Sequence, residues 1–80
     1  MSGASTWRDV LADTVEALAN ERDARLLCEH AAGLDASSFA AAMHEPVTQR
    51  MALHLQAMLR RRLAGEPLQY VMGQIGRAHV

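Results

Sequence analysis

One cysteine, Cys28, excludes an internal disulfide, and 80 residues hold only one Trp, one Tyr and one Phe. The β-branched residues are few and nowhere alternate with polar ones over strand length, so no strand is expected. No apolar run approaches the ~20 residues of a membrane helix. Residues 1–5 lack both the basic start and the apolar centre of a signal peptide, and a cytoplasmic chain is the default expectation. A formal net charge of -1 gives no global attraction to nucleic acid or to an anionic membrane. Metal ligands are poorly spaced as well. Among His30, His44, His54 and His79 no two fall at i, i+4, and there is neither an H-E-x-x-H run nor a cysteine pair, so no metal site is expected. Glu29 beside His30 and His44 beside Glu45 are sequence neighbours that face different ways on a helix, so neither makes an acid-base pair.

What the chain does have is alanine, 15 of its 40 hydrophobic residues. Alanine forms helices well and fills cores poorly, which favours closely approaching helices in an all-α bundle of four to five. A single domain this small buries only roughly 60 to 65% of its unfolded surface, so the core must be compact.

The helical rhythm places Trp7, Val10, Leu11, Thr14, Val15 and Leu18 on one face of a first helix, with Ser5 or Thr6 as cap and Thr6 and Asp9 at capping-box spacing. Asn20 and Glu21 read as a short connection. A second helix spans about Arg22 to Ala32 with Ala24, Leu27, Cys28 and Ala31 inward, Gly33 past its end and Leu34 folding back. The position of Cys28 on this face reads as a buried structural thiol. A third helix is expected from Ser37 or Ser38, carrying Phe39, Ala42 and Met43 inward, and stopped by His44-Glu45-Pro46. The longest helix, about Thr48 to Ala64, aligns Met51, Leu55, Met58, Leu59 and Leu63. Arg60, Arg61 and Arg62 point about 100° apart around its axis, which argues for a solvated last turn over a nucleic-acid patch. The methionines suit gap filling first and a permissive docking groove second.

The segment from Arg61 to Gly73 combines a helix stop at Gly65, a restart with Pro67 as first helical residue and Glu66 beside it, and a closing Gly73. Tyr70 reads as a core plug with a wet hydroxyl, or as a hydrogen-bonding group at a domain joint. The residue order, R-R-x-x-G-E-P-L-x-Y-V-x-G, resembles the end of the N-terminal helical domain of the release-factor glutamine methyltransferase (HemK/PrmC) family. Upstream, Arg22-Asp23-Ala24-Arg25-Leu26-Leu27-Cys28-Glu29-His30-Ala31-Ala32-Gly33-Leu34 looks like that family's R-D-A-x-L-L-x-x-H-x-x-G-L helix. The matching positions are Arg22, Asp23, His30 and Gly33 in the first block, and Arg61, Arg62, Gly65, Glu66, Pro67, Tyr70 and Gly73 in the second.

The resemblance implies the substrate-recognition domain of an enzyme that uses S-adenosylmethionine to methylate the glutamine of the Gly-Gly-Gln motif in bacterial class I peptide chain release factors. It implies no catalytic and no cofactor-binding residue here. The five glycines form no strand-linked glycine-rich turn, and the family's Asn-Pro-Pro-Tyr motif has no counterpart in a chain without a Pro-Pro pair. Residues 1–74 read as the helical domain, with the catalytic domain absent. Ile75 to Val80 depart from the family's hairpin and match one translated frame of a widely used short-read sequencing adapter, so they read as a non-native tail on a truncated frame. The alternative is a free-standing helical interaction or small regulatory module.

Overall fold

The computed structural model of the chain describes residues 5–73, and within them five helices and no strand. The tail expected at 75–80 lies outside the described residues. The helices are α1 (Trp7–Leu18), α2 (Glu21–Ala32), α3 (Ala36–Ala41), α4 (Gln49–Leu63) and α5 (Leu68–Val71).

Side-chain oxygens start four of them. Thr6 accepts from the Asp9 amide in a complete capping box, Asn20 from Asp23, Asp35 from Ser38 and Thr48 from Met51. Each satisfies an amide that would otherwise lack a partner. Two of these caps correct the sequence reading. Asn20 is the cap of α2 rather than part of a connection, and α3 begins at Ala36 because the Asp35 carboxylate captures the Ser38 amide at 2.8 Å before Ser37 or Ser38 can act as caps. That bond also holds the Asp35 carboxyl below the usual carboxylate range. Pro67 stands at the cap position of α5 and not inside its first turn. Its carbonyl accepts from the amides of Tyr70 and Val71.

The remaining free amides of α1 find the loop before α4. Trp7 N–H donates to Glu45 O at 3.1 Å and Arg8 N–H to Met43 O at 3.0 Å, while Val47 N–H donates to Ser5 O at 2.9 Å. These bonds tie the start of the described chain to its middle.

Helix α2 occupies the centre and packs against α1, α3 and α4. Its inward stripe of Ala24, Leu27, Cys28 and Ala31 is buried, and three of those four side chains are small enough to let the neighbours come close. Around it lie Trp7 and Leu11 of α1, Phe39 of α3, Leu55 and Met58 of α4, and Val71 of α5. The Trp7 and Phe39 rings meet edge to face at 5.5 Å, an arrangement that suits their opposed quadrupoles. Leu59 is only half-buried and Leu63 is 55% exposed, so the apolar side of α4 is wider than the core it faces. Leu34 is 36% exposed.

Helix α1 ends on Ala19 at φ +55°, a left-handed conformation that costs a residue with a Cβ about 1 to 2 kcal/mol. Ala19→Gly is therefore expected to raise stability by about 0.5 to 1 kcal/mol. Leu55→Ala is expected to lower it by about 2 to 5 kcal/mol through lost burial and a cavity, with Leu59→Ala costing less. Urea unfolding of the three variants measures all of these shifts.

Candidate functional site

The two sequence blocks that carry the resemblance meet in space. Helices α2 and α4 run antiparallel, so that Asp23 near the start of α2 faces Arg62 near the end of α4, and His30 faces His54 one end further on. The Arg62 guanidinium donates through Nη2 to Asp23 Oδ2 at 3.2 Å and through Nη1 to the Glu66 carbonyl at 3.2 Å. One side chain thus clamps α2 to the turn that follows α4. The pair is mostly sheltered, with side-chain exposures of 31% and 15%. Arg62 Nε is buried without a partner among the described residues. Arg61 reaches Glu66 Oε1 at 2.7 Å in a more open pair that holds the Glu66 carboxyl below its ordinary range.

The glycines of both blocks end helices. Gly33, at φ +73°, sends its N–H to His30 O while Leu34 N–H donates to Glu29 O. Gly65, at φ +103°, sends its N–H to Arg62 O while Glu66 N–H donates to Arg61 O. Both pairs of bonds form the six-to-one and five-to-two closure in which glycine avoids a Cβ penalty. Gly73, also left-handed, donates to Tyr70 O and closes α5. Of the eleven motif positions, then, Asp23, Gly33, Arg62, Gly65, Glu66, Pro67 and Gly73 serve the fold, while the Arg61 side chain makes a surface pair. Arg22 lies exposed on the first turn of α2, and Tyr70 is 54% exposed, which overturns its reading as a core plug. The three consecutive arginines diverge as their helical spacing requires, two into separate pairs and Arg60 to solvent.

Two features were not legible in the motifs. The first is a groove of about 350 Å³ where α1 and α4 both lean on α2 without closing on each other. Val10, Thr14, Val47, Leu55 and Leu59 give it an apolar lining, with Asp13 on the α1 side. Gln56 and Leu59 extend it towards Arg60 and Leu63. The second is the contact of His30 with His54, ring centres 5.7 Å apart. Partial burial, then the neighbouring His54, push the His30 pKa below its usual value. Neither contact could come from spacing along one helix.

Cys28 is fully buried, 3.9 Å from the Thr14 hydroxyl, which itself donates to Val10 O at 2.7 Å. Burial pushes the thiol up to about 11, opposite to what a nucleophile requires. No group of three or more His, Cys, Asp or Glu able to hold a metal occurs among the described residues. Among the described residues no helix is long and apolar enough to cross a membrane.

Two outcomes test this division between clamp and surface. Arg62→Ala is expected to cost about 1 to 3 kcal/mol, because it strands the sheltered Asp23 carboxylate, whereas Arg61→Ala should unfold close to the parent midpoint. Cys28 should resist iodoacetamide at pH 8 in the native protein and react at the rate of an ordinary thiol once urea unfolds the chain. Rapid native alkylation would contradict its burial.

A family model described as PrmC N-terminal domain matches residues 7–73. No curated protein and no solved structure matches the chain.

Proposed function

The chain belongs to the PrmC N-terminal domain family, and from that premise we propose that it is the release-factor-recognising part of a protein-glutamine methyltransferase. On this reading the enzyme methylates the glutamine of the Gly-Gly-Gln motif of bacterial class I release factors with S-adenosylmethionine, and a separate catalytic domain carries the chemistry. The family match over 7–73, which spans all five helices, is the observation that supports it.

Two physical points agree. The one thiol is buried with a raised pKa, and the sequence has no glycine-rich turn after a strand of the kind that holds a nucleotide-like cofactor. What the fold leaves open is apolar surface. The groove between α1 and α4, with the exposed Leu63 at its far end, offers a protein partner contact area that the domain's own core does not use. Asp13 and Arg60 flank it with opposite charges that fix the direction of a bound segment.

Calorimetry of the 80-residue chain with a purified class I release factor should show a complex, and Leu63→Glu should weaken it at least about fivefold while leaving the fold intact. Incubation with labelled S-adenosylmethionine and the same factor should transfer no methyl group. Absence of a complex at high micromolar concentrations, or micromolar binding of the cofactor by this chain alone, would overturn the proposal.

A further inference from the structure

The antiparallel packing of α2 on α4 brings together two imidazoles that lie 24 residues apart in sequence, and what they form is independent of the release-factor reading. We propose that His30 and His54 make a two-imidazole site for a divalent first-row transition ion, bridging α2 and α4 at the surface.

The geometry suits a shared ion. Imidazole nitrogens coordinate at about 2.0 to 2.1 Å, and two rings bound in this way to one tetrahedral or square-planar ion have centres about 5 to 6 Å apart. The observed separation is 5.7 Å, with the ring planes inclined at 61°. Each histidine projects from the body of a regular helix, so its backbone is fixed, while the broad torsion about the ring bond lets an exposed imidazole turn a nitrogen towards the ion. Both residues are exposed, which leaves room for water in the remaining positions.

A ligand imidazole must be neutral, which places the binding experiment above the ordinary histidine range. The nearest carboxylate along α2, Glu29, is engaged with Arg25 at 3.5 Å and supplies no third ligand. A site of two imidazoles and water, without thiolate or carboxylate, favours copper and nickel over the harder magnesium and calcium.

Nickel is the probe. Titrating the 80-residue chain with Ni²⁺ at pH 7.5 should raise its unfolding temperature, because an ion held by both helices binds the folded state and not the separated ones. His30→Asn and His54→Asn should each unfold at the parent temperature without metal, lose the nickel-dependent rise, and bind Ni²⁺ at least about tenfold more weakly. The double variant should be no weaker than either single one, since losing one ligand already removes the chelate. His44→Asn should bind as the parent does. No rise in unfolding temperature with nickel up to about 1 mM, or affinity retained within about twofold in either single variant, would overturn the proposal.

Discussion

The antiparallel contact between α2 and α4 is the constraint on which the rest of the domain depends. Helix α2 is the element that α1, α3 and α4 share, and its buried stripe of Ala24, Leu27, Cys28 and Ala31 is the surface they compete for. With so many alanines, the domain gains burial through close helix approach more than through large side chains, and close approach tolerates little slippage. The Asp23–Arg62 pair fixes the register at one end of that contact and the meeting of His30 with His54 marks the other. A shift of one turn along α4 would part both pairs and carry Leu55 and Met58 away from the stripe.

Seen from this contact, the two motif blocks are halves of one device. Arg62 joins the start of α2 to the turn after α4, and Gly65 makes that turn by exposing the carbonyls of Arg61 and Arg62 to the amides beyond. Glu66 and Pro67 then launch α5, whose Val71 returns to the core. The residue pattern shared by the two blocks therefore mostly encodes how α4 and the turn after it are set against α2.

How much of this could be read from the sequence depends on the range of the interaction concerned. Caps and stops are local, and Thr6 with Asp9, Gly33 and Gly65 were legible because a few neighbouring residues determine them. Asp35 was missed for a reason equally local. An aspartate and two serines compete to cap the same turn, and the ionised carboxylate is the stronger acceptor. The ends of α4 were legible, but Leu63 was not. Helical periodicity says which side chains share a face and not where the neighbouring helix stops, and Leu63 lies beyond the reach of the core. Tyr70 failed in the same way, since an aromatic on a helix of four residues is buried only if something lies over it.

The groove and the histidine contact belong to a different class, because both exist only between helices distant in sequence. Spacing arguments look for ligands at i, i+4 on one helix, and that search passes over His30 and His54. The groove follows from packing geometry in a comparable way. When two helices lean on a third that is narrow and rich in alanine, each settles towards it and their outer flanks diverge, leaving the apolar edges of α1 and α4 turned towards a shared cleft. The small side chains of α2 that make the core compact are thus also the reason Val10, Leu55 and Leu59 line an open surface. A compact core and an open apolar groove arise here from the same choice of residues.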